Sequence, residues 1–298
     1  MNRQVVLLSN PAAGGGHAER AAARAAARLR EHGIEVLNIA GASPADALRL
    51  ARETVARGVD ALVAVGGDGM IHLALQALAG SGVPLGMLPA GTGNDQAREY
   101  GVPIGDPESA ADVIAAGHVA TVDLGRIDAE DGTSRYFGSV LAAGFDSLVT
   151  DRANRMAWPR GRSRYNLAMV AELANLRPLP FRITLDDGTV IERPLTLAAV
   201  GNTRSYGGGM LICPGADHTD GLFDVTMVGA MPRLKLVRFF PTVFKGTHVE
   251  HGEVHTVRSA TLRIECPGIS AYADGEFIAR LPVEVSIAPR ALGVIVPA

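Results

Sequence analysis

Ala61-Leu62-Val63-Ala64-Val65-Gly66-Gly67-Asp68-Gly69-Met70 is the stretch that decides the fold of this 298-residue chain. An unbroken apolar run closed by glycine reads as a strand covered on both faces, the kind found in parallel sheets. A helix follows from about Met70 to Ala79. The same pattern recurs on either side. Gln4 to Ser9 is a strand that passes through Asn10-Pro11-Ala12-Ala13-Gly14-Gly15-Gly16 into an alanine-rich helix, His17 to Glu31. Ile34 to Ile39 is another strand, and Ser43-Pro44 supplies the cap and first-turn proline of the helix after it. Leu85 to Leu88 then runs into Pro89-Ala90-Gly91-Thr92-Gly93-Asn94-Asp95, and Asp106-Pro107-Glu108 opens a further helix. Strand and helix alternating through short loops give an open, mostly parallel sheet with helices on both faces.

From about Arg126 the texture changes. Short β-rich segments appear at Arg135 to Ala142, Phe181 to Leu185, Leu195 to Val200, Phe223 to Val228, Thr261 to Glu265 and Val283 to Ile287, with Asp187-Gly188 as a hairpin signal. Helices interrupt them near Tyr165 to Asn175 and Arg233 to Phe244. The reading is a Rossmann-like α/β domain, residues 1–125, followed by a β-sandwich domain, residues 126–298.

Composition narrows the function. Lys plus Arg is 28 against 31 Asp plus Glu, a net charge of -3, which argues against a nucleic-acid protein. Two cysteines cannot build a disulfide framework, so a reducing, cytoplasmic setting is expected. No apolar run is long enough for a membrane-spanning helix, and the expectation is a soluble globular protein.

Three glycine-rich turns fall at the carboxyl ends of the expected parallel strands, each before a helix. Free N–H groups and positive helix ends there suit phosphate. None of the three is a Walker loop or a true dinucleotide fingerprint. Asp68 inside the middle turn would repel bare phosphate unless a metal-bound water, a ribose hydroxyl or a cation intervened, which moves the reading toward a kinase.

Gly66-Gly67-Asp68-Gly69, then Pro89-x-Gly91-Thr92-Gly93-Asn94-Asp95 with Arg98, resembles the diacylglycerol-kinase catalytic family, including the YegS-type, sphingosine and ceramide lipid kinases. The similarity continues through Asp123-Leu124-Gly125, Gly144-Phe145-Asp146, Gly201-Asn202, Pro214-x-Ala216-x-x-x-Asp220-Gly221-Leu222 and Asp274-Gly275-Glu276, in order along nearly the whole chain. The resemblance implies an ATP- and Mg²⁺-dependent lipid kinase acting on a hydroxyl of a diacylglycerol-like lipid at a membrane surface, and a homodimer. Gly67, Asp68, Gly69 and Thr92 would line the ATP site with Asn10. Asp217, Asp220 and the Leu222 carbonyl would hold Mg²⁺, and Glu276 would be the general base. Such parts are what phosphoryl transfer needs.

This chain departs from the family pattern at Met70, His72 and Leu73, where Thr, Asn and Glu are usual, so polar contacts to the nucleotide or the loop are expected to be lost. A first-loop Lys is replaced by Gly15 or Gly16, and Gly41 stands where a nucleotide-contacting Thr is common. Two other readings stay open: a kinase of a soluble substrate, as NAD kinases and phosphofructokinases are, and a non-catalytic nucleotide- or lipid-binding relative. For membrane contact there are two candidates. One is Arg152, Arg155, Arg160, Arg162 and Arg164 around Met156, Trp158 and Tyr165; the other is the basic, Phe-rich stretch Arg233 to Lys245. Ser205 to Gly209 is expected to be a mobile loop near the cleft.

Overall fold

The computed structural model describes residues 3–9, 17–156, 158 and 162–298. Four parallel strands, β1 (Gln4–Ser9), β2 (Glu35–Ala40), β3 (Ala61–Gly66) and β4 (Leu85–Pro89), lie in the order β2-β1-β3-β4. Helices α1 (His17–Glu31) and α5 (Pro107–Ala116) pack together, as do α2 (Pro44–Ala56) and α3 (Asp68–Leu78), and the short α4 (Asp95–Glu99) follows β4. Right-handed crossovers put one pair on each face. Local chemistry sets the helix starts. Ser43 accepts the N–H of Asp46 ahead of Pro44, and Asp106 accepts that of Ser109 ahead of Pro107. The chain leaves β1 and β3 in opposite directions, so their carboxyl ends open the crevice in which such folds bind ligands.

The β-rich half begins with β5 (Val119–Ala129), β6 (Ser134–Phe137) and β7 (Val140–Gly144). It continues through β8 (Leu179–Leu185), β9 (Val190–Gly201), β10 (Phe223–Gly229), β11 (Val254–Ser259) and β12 (Thr261–Glu265). It ends with β13 (Ser270–Ala273), β14 (Glu276–Arg280) and β15 (Val283–Ile295). This is the expected sandwich-like second unit, closed around Phe137, Phe181, Ile183, Phe223, Ile264 and Val285. The stretch Arg135 to Ala142, expected as one strand, is two. It breaks at Gly138-Ser139, whose amides turn away to the Asp274 carboxylate.

No linker divides the halves. β5 and β15 pair antiparallel from Val119 opposite Ile295 to Ala129 opposite Val283, and both run through the two cores. Val294 also meets Leu85 of β4 in a parallel bridge. Leu292, Val294 and Ile295 thus lie in the α/β core, which a second domain taken as residues 126–298 does not anticipate. Those apolar side chains are buried only there, and their strand covers an otherwise open sheet edge.

Three helices cover one side of the β-rich half: α6 (Phe145–Arg155), α7 (Arg162–Ala174) and α8 (Arg233–Val243). Phe145, Val149, Ala168, Leu236 and Phe239 share one apolar cluster with Val140, Leu197 and Val228 of the sheet.

Candidate active site

The cleft is built on the start of α3. Gly67 caps that helix with extended backbone and accepts the Met70 N–H at 3.0 Å, leaving the Asp68 and Gly69 amides without intrahelical acceptors. The turn Gly91-Thr92-Gly93 lies against it main chain to main chain. A Cβ on Gly91 would stand 2.4 Å from the Gly67 Cα, so a side chain here would force the two turns apart. Asn94 closes the second turn by accepting the Gly91 N–H at 3.1 Å and donating to the Gly91 carbonyl at 2.9 Å. Gly69 and Thr92 are exposed, and Gly67 and Asp68 are half-buried.

Asp68 stitches the two turns together. Its Oδ1 accepts the main-chain N–H of Asp95 at 2.8 Å and that of Gln96 at 3.4 Å. Burial pushes its carboxyl above the usual range, and the charges of Asp95 and Asp274 add to that, against the two N–H bonds.

Glu276 arrives from the other half of the molecule. Ala273 pairs with Glu276 across the β13–β14 hairpin, leaving Asp274 and Gly275 as its two-residue turn. Both have positive φ, 53° and 83°, as the type I′ turn of an Asp-Gly hairpin demands. The exposed Glu276 carboxylate reaches back over α3, with Oε1 2.9 Å from where a Cβ on Gly69 would lie. Asp274, fully buried, accepts four hydrogen bonds. These come from the N–H of Gly138 (3.0 Å), the N–H and hydroxyl of Ser139 (2.8 and 2.6 Å), and Nδ1 of His72 (3.0 Å). Burial pushes its carboxyl up, but His72, Ser139 and Gly138 together outweigh that and hold it below the usual range.

The structure therefore brings Gly67, Asp68, Gly69, Thr92 and Glu276 to one cleft. Asn10 lies outside the described residues. Met70 and Leu73 do not face the cleft as lost ligands: Met70 packs beneath Gly66 and Leu73 against the α/β core. His72 does not face outward either, because its Nδ1 is bonded to the Asp274 carboxylate in the turn of the β13–β14 hairpin. At Gly41 a Cβ would lie 2.4 Å from the Ala47 nitrogen, so α2 leaves no room for the Thr of the family pattern.

Asp95 belongs to the second glycine-rich motif, which by itself assigns it no role. Its carboxylate accepts the amides of Gly208 and Gly209, both at 2.7 Å, and one oxygen also pairs with Arg98 at 3.0 Å. Ser205 to Gly209 is thus pinned across the domain junction and further closed by the Tyr206–Met210 bridge, rather than the loose loop expected. The signal was available: an acidic residue directly after Gly-Thr-Gly-Asn, facing a triple glycine.

Asp217 and Asp220 share one turn, with the Asp220 N–H bonded to the Asp217 carbonyl at 3.4 Å. Bonds from Thr219, chiefly its hydroxyl, outweigh burial and keep Asp217 below the usual carboxylate range. Asp220 accepts the Leu222 N–H at 3.0 Å and pairs through its other oxygen with Arg258. Two carboxylates and the Leu222 carbonyl are a hard-oxygen donor set that suits Mg²⁺. No group of three His, Cys, Asp or Glu side chains with metal-site geometry occurs among the described residues, so the main-chain oxygen is essential to such a set. The loop is anchored to β5 by Asp123, which accepts the Gly221 N–H at 2.9 Å and donates its own N–H to the His218 carbonyl.

Residues 4–127 match the model of the diacylglycerol kinase catalytic domain, and residues 139–296 match that of the YegS C-terminal NAD kinase beta sandwich-like domain. A diacylglycerol kinase of Mycobacterium tuberculosis is 55% identical over 294 residues, covering 99% of this chain and 95% of the relative. One from Bacillus subtilis is 26% identical, covering 98% and 95%. In fold, a diacylglycerol kinase crystal structure from Bacillus anthracis superposes with a TM-score of 0.72 at 21% identity, covering 99% of this chain and 97% of that one.

Proposed function

Because the chain belongs to the diacylglycerol kinase family, we propose that it transfers the γ-phosphoryl group of ATP to a hydroxyl of a diacylglycerol-like lipid. The observation that carries this reading is the Glu276 carboxylate lying over Gly69 at the start of α3. A base from one half of the molecule faces the phosphate-binding turn of the other, with the cleft between them as the place of transfer.

In this reading the amides around Gly67–Gly69 and Gly91–Gly93 receive the nucleotide phosphates, and Thr92 lines the same edge. Asp68 braces the second turn. Glu276 accepts the proton of the attacking hydroxyl as the phosphorus–oxygen bond forms and ADP departs. Asp217, Asp220 and the Leu222 carbonyl would hold Mg²⁺, once Arg258 releases the Asp220 oxygen that it occupies. The ion supplies positive charge against the phosphates. ATP as donor makes a cytoplasmic setting natural.

A cavity of about 630 Å³ between α6 and α7 suits an acyl chain. Phe145, Leu148, Met156, Leu176 and Leu179 line it, and Arg152 and Arg177 stand among the polar residues around them. It connects to the catalytic hairpin through Asp151, which accepts the Tyr272 hydroxyl at 2.5 Å and that of Ser270 at 3.3 Å. The α6–α8 side is also where this protein would meet a membrane. Trp158, Leu167, Val170, Leu234, Val237 and Phe244 are all exposed there, with Arg152, Arg155, Arg233, Arg238 and Lys245 nearby in the chain. The side chains of Arg162, Arg164 and Tyr165, and all of Arg160, lie outside the described residues.

The test is transfer of labelled phosphate from ATP to a lipid panel in mixed micelles with Mg²⁺. Wild type is expected to label a diacylglycerol, and Glu276→Gln to lose about 10²–10⁴-fold in kcat as a lost general base. Labelling of no lipid, or a fully active Glu276→Gln, would refute the reading.

A further inference from the structure

We propose that His72 is a positioning residue, which from helix α3 holds the Asp274-Gly275 turn and so keeps Glu276 in register with the phosphate-binding turn. Its effect on turnover presupposes the kinase reading above; its effect on the hairpin does not.

His72 lies one helical turn past Asp68 and is 8% exposed, with Nδ1 3.0 Å from the Asp274 carboxylate. A carboxylate only accepts, so the Nδ1 proton sits between them. Four residues further along the same face, Gln76 clamps the chain before the β6–β7 break. Its Oε1 accepts the Tyr136 N–H at 3.0 Å, and its Nε2 donates to the Tyr136 carbonyl at 2.7 Å. Helix α3 is thereby tied to the β-rich half at two points one turn apart.

The two ties differ in what they reach. Gln76 holds residue 136, whereas His72 holds the hairpin itself. The other three donors to Asp274 all come from Gly138 and Ser139, which belong to the same half of the molecule as the hairpin. Among the described residues, His72 is the one α3 side chain hydrogen-bonded to the hairpin. Losing it would leave the turn folded but free of the helix whose first turn receives the phosphates. Glu276 is two residues beyond Asp274, so a slip of the turn moves the carboxylate directly, and a misplacement of about 1 Å costs on the order of a hundredfold in rate.

The discriminating pair is His72→Leu, which keeps bulk but not the donor, and His72→Asn, whose amide N–H stands where Nδ1–H stood. Each is read by amide hydrogen exchange over residues 273–277 and by kcat and KM for ATP in the micelle assay. His72→Leu is expected to speed hairpin exchange and lower kcat by about ten- to a hundredfold, the worth of one hydrogen bond to a charged group, with the ATP KM within about twofold. His72→Asn is expected to stay near wild type in both. Unchanged exchange in His72→Leu, or equal losses in the two variants, overturns the proposal. Should His72→Leu not fold, His72→Gln takes its place, since its amide reaches to the Nε2 position instead. Faster exchange in Gln than in Asn supports the tie, and equality overturns it. A wild type that labels no lipid breaks the kinase reading, while the exchange comparison still decides the role of His72.

Discussion

Asp68, half-buried, and Asp274, buried, are acidic residues at the same domain junction, close enough for the charge of Asp274 to reach Asp68, yet they are held in opposite ways. Asp68 has two main-chain donors on one oxygen, and burial wins: its carboxyl is pushed up. Asp274 has four donors shared between two oxygens, one of them an imidazole, and it is held down. Burial alone does not set the charge of a carboxylate; the number and kind of donors do. The division of labour follows. The saturated carboxylate serves as a fixed structural knot. The under-saturated one has an oxygen beside Gly93 in the cleft that still has capacity to accept a hydrogen bond.

The hardest blow to this contrast is Asp274→Ala. Four buried donors would lose their acceptor at once, and alanine would sit in a left-handed turn. The expected loss is about 3–5 kcal/mol of unfolding free energy, the range for breaking a buried charged network. Denaturant unfolding measures it; a loss below about 1 kcal/mol would show that Asp274 is not the knot described. Asp68→Asn probes the opposite case. Asparagine Oδ1 can still accept from both Asp95 and Gln96, so the turns stay joined, while the cost of ionising a half-buried carboxylate disappears. The variant is expected to melt higher than wild type at neutral pH. For a carboxyl whose folded pKa is raised, that stability gain belongs above the folded pKa and vanishes below the unfolded one. A lower melting temperature at neutral pH would mean that Asp68 is charged and stabilising, reversing the comparison.

The parts of this site that were legible in the sequence are those written in local chemistry. The glycine-rich turns around Gly67 and Gly91 announce themselves, because a Cβ on Gly91 would collide with the facing turn; Asp274-Gly275 was legible as part of a family motif but not as the two-residue hairpin turn it makes. Strand and helix alternation likewise fixed β1 to β4, since each buried strand is a short apolar run. What stayed hidden is what depends on residues far apart in the chain. His72 and Asp274 are 202 positions apart, and nothing local to either predicts the other. The departures at Met70, His72 and Leu73 looked like missing ligands because a family pattern says what is usual, not where a replacement points. The return of Leu292–Ile295 into the first core was missed for the same reason: a strand's apolar pattern shows that it is buried but not against which sheet.

The gentlest test of the contrast is Ser139→Ala, which removes one of the four donors to Asp274 and leaves the Ser139 amide in place. The hydroxyl is 2.6 Å from Oδ1 and buried, so its loss opens a small gap without stranding a charge. The expected cost is about 1 kcal/mol. Its pH dependence carries more than its size. A carboxyl held below its unfolded pKa contributes stability that is complete above the unfolded value and fades as pH falls through the folded one. With one donor gone the Asp274 carboxyl moves back up toward the ordinary range. The gap between wild type and Ser139→Ala is therefore expected to be widest at neutral pH and to narrow in acid. Urea unfolding of both proteins from pH 7 downward measures it. A gap of constant size would assign the serine a packing role alone, and the low carboxyl of Asp274 would then rest on His72 and the two main-chain amides.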